Sequence, residues 1–140
     1  GGERTRLTRP VFCGRAFSDC LSKHFGVNEA PSHFVLQQMD PARPLREFQS
    51  KLFHLQAKDV KIRRDRIDDV GIFAHPNEWH EPRIPGYGEM DWGRFMGALM
   101  ETSYRGPVCI EVEDPTFGKT LDGRQRAIQV AGNILRPFLE

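Results

Sequence analysis

The chain has 140 residues, 39% hydrophobic and 28% charged, with 20 basic against 19 acidic side chains and a formal net charge of +1. That length suits one domain at about 100–200 residues each, and falls short of the ~250 residues of a complete eight-unit β/α barrel. The near-neutral balance argues against a nucleic-acid-binding surface, and no apolar run is long enough for a membrane-spanning helix. The opening residues Gly1 to Arg6 lack the apolar stretch of a signal peptide, and Cys13, Cys20 and Cys109 form neither a disulfide framework nor a close metal pair. The expectation is a mixed α/β protein of the reducing cytoplasm.

Residues 1–12, with Arg4, Arg6 and Arg9 ahead of Pro10, read as a flexible basic tail, leaving 13–140 as the folded unit. Phe17, Leu21 and Phe25 recur at a spacing of four, which predicts a helix over Gly14–His24. A short strand follows at Gly26–Glu29 and enters a loop at Pro31. Asp40 as N-cap with Pro41 at the first helical position predicts a helix over Pro41–Lys51. Leu52–Ala57 reads as a strand apolar on both faces, the pattern of a buried parallel strand. The stretch from Val60 to Asp91 is irregular, with one apolar run, Val70–Ala74, that suits a strand. Asp91 then caps a helix whose Trp92, Phe95, Met96, Leu99 and Met100 form one apolar stripe. A strand over Val108–Glu113 and a helix over Leu121–Leu139 complete the chain, with Ala127, Ile128, Ala131, Ile134, Leu135 and Phe138 facing inward. Alternating strands and helices imply right-handed crossovers and a parallel sheet.

Active groups of parallel α/β folds gather at the carboxyl ends of strands. Glu111 interrupts an apolar strand and shares a face with Cys109 and Glu113. A carboxylate on the inner face of a strand needs a metal, a cation or a substrate hydroxyl to meet it, and an ion pair with a neighbouring Arg or Lys is the plain alternative. His33, after a Pro-Ser turn, suits a substrate donor or ligand, or an ordinary surface histidine; His54, mid-strand, suits a site residue or a core histidine bonded to a carbonyl. The His75–His80 segment matches no helical metal-ligand spacing. Lys61, Arg63, Arg64 and Arg66 are interleaved with Asp65, Asp68 and Asp69, a pattern of self-paired surface charge more than of a phosphate site. Cys109 has no adjacent base and reads as a small buried hydrophobe.

Four segments resemble one family in order. Asn28-Glu29-Ala30-Pro31-Ser32-His33 is similar to the Asn-x-Asp-Pro-Ser-His segment of the sugar phosphate isomerase/epimerase family, the xylose isomerase-like barrels related to endonuclease IV. His54-Leu55-Gln56-Ala57-Lys58-Asp59 resembles its His-x-His-Ala-Lys-Asp strand. Pro85-Gly86-Tyr87-Gly88-Glu89-Met90-Asp91-Trp92 resembles its Pro-Gly-x-Gly-x-x-Asp-Trp segment, and Ile110-Glu111-Val112-Glu113-Asp114 its closing Ile-Glu-x-Glu-Asp strand. The resemblance covers about residues 14–138 and implies a partial TIM (β/α) barrel, the C-terminal β/α units of a xylose isomerase-like fold.

The resemblance implies a sugar or sugar phosphate isomerase or epimerase that moves a proton on its substrate with help from a divalent ion (Mn, Zn, Mg or Co). It places catalytic roles on Glu111 and His33, a metal role on Glu111, and substrate contacts on His54, Lys58, His80 and Arg83. Two family ligand positions differ in type: the aspartate falls on Ala30 and the second histidine on Gln56. Those departures support the alternative of a catalytically silent relative that serves as a binding or assembly module. A half barrel leaves strand edges unpaired, so the expectation is a piece of a longer chain, a homo-oligomer, or docking on a complementary half-barrel. No nucleic-acid or membrane partner is expected.

Overall fold

The computed structural model describes residues 9–139. Helix α1 (Pro10–Asp19) leads into strand β1 (Val27–Glu29), then helices α2 (Ser32–Leu36) and α3 (Arg43–Glu47) and strand β2 (Leu52–Ala57). Strand β3 (Asp59–Ile62), helix α4 (Arg64–Val70) and strand β4 (His80–Arg83) follow. Helix α5 (Trp92–Met100), strand β5 (Val108–Ile110) and helix α6 (Leu121–Leu135) end the chain, with a 3-10 turn at Arg136–Phe138. The main sheet has the order β1-β2-β5 and is parallel throughout, as the alternation predicts.

One face of that sheet builds the core. Leu52, Leu55 and Ala57 of β2 pack with Leu45 of α3 and with Trp92, Phe95, Met96 and Leu99 of α5. Asp91 caps α5 as expected, its Oδ1 accepting from the Arg94 N–H at 2.9 Å. In α6 only Ala127, Ala131 and Leu135 of the expected inward positions are buried, whereas Ile128 and Ile134 face solvent. The covered stripe is narrower than the apolar pattern. The other face of the sheet is polar: Asn28 pairs in register with His54, and Gln56 with Cys109, so these side chains share one side.

Several expectations are corrected. Helix α1 begins at Pro10 and ends at Asp19, inside the expected tail and short of His24; residues 1–8 of that tail lie outside the described residues. Proline's fixed φ favours the first helical position. Phe17 meets Phe25 across a chain reversal, ring centroids 5.5 Å apart, and Leu21 is exposed, so the spacing of four does not mark a helix face. Asp40 bonds the Ala42 N–H before α3 instead of capping a helix at Pro41. Val70–Ala74 is no strand: α4 ends at Val70, Gly71 turns the chain at φ 77°, and Ile72 and Phe73 are exposed. The stretch after Val60 contains an antiparallel pair instead, β3 with β4, in register from Asp59 opposite Arg83 to Ile62 opposite His80. Cys109 is exposed, not buried, and β5 stops at Ile110, although the Glu111 N–H continues the ladder to Ala57. No helix among the described residues is long and apolar enough to cross a membrane.

Candidate active-site face

The polar side chains of β2 and β5 converge just past the carboxyl ends of those strands. Lys58 follows β2, and its Nζ lies 3.1 Å from Glu111 Oε2 and 3.0 Å from Glu113 Oε2. Gln56 Nε2 donates to the other Glu111 oxygen, Oε1, at 2.6 Å. Parallel pairing of β2 with β5 places these four side chains together, because residues two apart on each strand share a face. Burial works against the Lys58 ammonium, but the hydrogen bonds to Glu113 and Glu111 outweigh it and hold its pKa above the ordinary lysine value. Lys58 is therefore a permanent cation with two of its three N–H donors engaged.

Beside this cluster opens a cleft of about 900 Å³, lined by Ser32 and His33 from α2, Lys58, Asp59 and Val60, the His75–Asn77 turn, His80 and Pro82, and Glu113. Glu111 is not a wall of the cleft; it stands in contact with one, Lys58. One edge of His33 is open to solvent. Burial of the rest of its ring, and then Lys58, lower its pKa; Glu111 and Glu113 oppose this, and His80 adds to it. His80 Nδ1 bonds the Pro76 carbonyl, which only accepts, so that nitrogen carries the proton. His75 Nδ1 accepts from the Asn77 N–H at 3.3 Å.

The structure thus brings together Glu111, His33, Lys58 and His80, and leaves two expected substrate residues outside. His54 Nδ1 lies 3.0 Å from Asn28 Oδ1 and does not line the cleft. Arg83 Nη1 donates to Glu81 at 2.7 Å and to Thr116 at 3.2 Å; its Nε is 3.1 Å from Asp114, an ion contact without hydrogen-bond alignment. Its charge is spent on structure. Glu113 has no predicted role in the sequence; its signal is the i, i+2 spacing from Glu111.

Two buried aspartates shape the loop between β4 and α5. Asp59 accepts from the Val60, Gly86 and Met90 N–H groups and from Trp92 Nε1, at 2.8–3.1 Å. Gly88 is required beside it, because a Cβ there would collide with the Asp59 carboxylate. Asp114 accepts from the Ile84 and Thr116 N–H groups. The Pro-Gly segment is thus a scaffold pinned by strand-end carboxylates, not a row of site residues.

Parallel strands with covering helices on one face and a polar cluster at their carboxyl ends define a section of a β/α barrel. The chain belongs to the xylose isomerase-like TIM-barrel family, which matches residues 15–135. Among structures, it is similar to the crystal structure of a xylose isomerase domain protein from Planctomyces limnophilus, with a TM-score of 0.66 and 21% identity over 91% of this chain and 42% of that one. That likeness shows the fold. Among sequences, it is 28% identical over 101 residues to "Uncharacterized protein YfiH" of Bacillus subtilis (strain 168), covering 66% of this chain and 32% of that protein. The chain therefore spans about a third to two-fifths of the length of these relatives.

The donor set does not fit the divalent ion that the family resemblance implies. Ala30 offers no donor atom, Gln56 turns its N–H₂ toward Glu111, and the Lys58 ammonium occupies the cation's side of that carboxylate. No group of three or more His, Cys, Asp or Glu side chains converges among the described residues. A protonated amine cannot ligate, and a metal placed beside Glu111 would have to displace it.

Proposed function

We propose that this chain forms the carbohydrate-facing C-terminal part of a sugar isomerase or epimerase barrel. Glu111 moves a proton to or from a sugar carbon, and Lys58 steadies the adjacent oxygen. The observation that carries this is the Lys58–Glu111–Glu113 cluster beside the 900 Å³ cleft. Carbon acidity next to a carbonyl rises when negative charge developing on oxygen meets a fixed cation. Lys58 retains one N–H donor for that oxygen. Glu111 Oε1 takes the Gln56 amide and Oε2 takes Lys58, leaving lone pairs on both oxygens for a substrate proton. His33, kept neutral by burial, supplies a hydrogen bond to a sugar hydroxyl, with His80 beside it.

The test is proton wash-in. The chain, freed of metal with a chelator, is incubated in D₂O with a panel of aldoses and ketoses, and loss of the C–H signal next to the carbonyl is followed by NMR. Exchange abolished in Glu111→Gln and lowered in Lys58→Met supports the assignment. Exchange that is unchanged in Glu111→Gln refutes it.

A second reading, a binding or assembly module, is favoured by Ala30 and by the free outer edges of β1 and β5 among the described residues. On this reading a complementary half-barrel or a second copy covers those edges. Sugar binding without exchange, together with a mass by light scattering above that of one chain, selects it.

A further inference from the structure

We infer that the cleft selects an uncharged sugar and rejects its phosphate ester, with Glu113 as the residue that sets this preference. The inference rests on the assignment of the cleft as a sugar site and names the class of sugar it takes.

The charge inventory of the walls, with Glu111 behind Lys58, carries it. Among the described residues Lys58 is the only lysine or arginine lining the cleft, and it already faces two carboxylates, Glu111 at 3.1 Å and Glu113 at 3.0 Å. Together the three groups sum to one net negative charge. The lining Asp59 is buried and spends its carboxylate on three backbone N–H groups and one indole N–H. His33 adds no cation that would offset this, because burial favours its neutral form, and His75 turns Nδ1 to the Asn77 N–H as an acceptor.

The arginines on neighbouring elements are matched in turn. Arg63 pairs with Asp65 at 2.7 Å, Arg64 with Glu89 at 2.7 Å, and Arg83 with Glu81 at 2.7 Å. A bound phosphate dianion wants a bidentate guanidinium, a lysine without competitors, or a cradle of free backbone N–H groups. Neither a guanidinium nor a lysine without competitors lines the cleft among the described residues. A neutral polyol asks only for what is present: carboxylate acceptors, one ammonium donor, imidazole nitrogens and the Asn77 side chain.

Glu113 is the member of the cluster that can change this. It is the most solvent-exposed of the three, and the contact of Lys58 with Glu111 is separate from its contact with Glu113. Removing its charge brings the cluster to neutrality.

The experiment measures dissociation constants of the full chain by calorimetry at pH 8 and low salt. Probes are uncharged pentoses and hexoses and the phosphate esters of the same sugars. For a dianion roughly 6 Å from one net negative charge, the expected penalty is about tenfold at the dielectric constant of water. The ester should therefore bind about tenfold or more weakly than its parent sugar, and the ester-to-sugar ratio should narrow several-fold in Glu113→Gln. Should that variant fail to fold, the same ratio in the unmodified chain must narrow as salt is raised. An ester that binds as well as its sugar, or a ratio indifferent to both Glu113→Gln and salt, overturns the inference while leaving the sugar site standing. Binding of neither probe overturns the sugar site as well.

Discussion

Glu29 offers the sharpest physical prediction. It lies on β1 with 2% of its surface exposed, its Oε1 has no hydrogen-bond partner among the described residues, and burial pushes its pKa from the ordinary 4.5 up to about 8. It borders a second cleft, about 410 Å³, whose walls include Cys13, Phe17, Phe34 and Phe48. The folded chain holds the proton where the unfolded chain has lost it, so stability must fall as pH rises from about 4.5 to about 8. The slope is about 1.4 kcal/mol per pH unit for one proton, and the full interval amounts to roughly 5 kcal/mol. That is a large share of the 5–15 kcal/mol typical of a small domain. Urea unfolding followed by tryptophan fluorescence between pH 4.5 and pH 9, in the unmodified chain and in Glu29→Gln, isolates the effect as a difference. The two should be alike near pH 4.5, and the Gln variant should be more stable by several kcal/mol at pH 9. A difference that does not change with pH refutes the reasoning, because it would mean that the Glu29 carboxyl ionises as if in water.

Asp59→Asn should destabilise the fold by about 3–5 kcal/mol, since the new amide turns donors toward two buried N–H groups, each worth about 1–3 kcal/mol. Trp92→Phe removes one of those donors and should cost about 1–2 kcal/mol; urea midpoints check both. Calorimetry with Mn²⁺ or Zn²⁺ should detect no Glu111-dependent binding in the unmodified chain. Joint Ala30→Asp and Gln56→His, with Lys58→Met to clear the ammonium from Glu111, should create a one-to-one site that Glu111→Gln removes, and failure to do so would show that the geometry as well as the ligands has departed from the family's.

Local signals carried the parts of the fold that depend on neighbours in sequence. Strand β2 runs over the predicted Leu52–Ala57, and Asp91 caps α5 as its residue type and the following stripe require. The β3–β4 pair was illegible because His80-Glu81-Pro82-Arg83 has no alternation of apolar and polar residues, and its partner Asp59–Ile62 lies on the far side of α4, with Val60 and Ile62 packing on Trp79. Phe17 and Phe25 imitate a helix stripe while meeting through a reversal. In the site, Glu111 was visible as a charge inside an apolar strand. Lys58 is marked in the sequence as a substrate contact by the resemblance, but its pairing with Glu111 is not legible there, because the contact joins β2 to β5 and depends on their register. The resemblance places a substrate contact on Arg83; of its carboxylate partners Glu81 is two residues away on β4, but Asp114 meets it only when β4 and the loop after β5 are brought together.

The ammonium of Lys58, bracketed by Glu111 and Glu113, is the centre of the account, and NMR of that side chain addresses it most directly. In the unmodified chain Lys58 should titrate above an ordinary lysine, and Glu111→Gln or Glu113→Gln should each bring it down. Adding an uncharged sugar should shift the Lys58 and His33 signals together. A Lys58 that titrates like a free lysine, or signals that stay still while a sugar binds elsewhere, would contradict it.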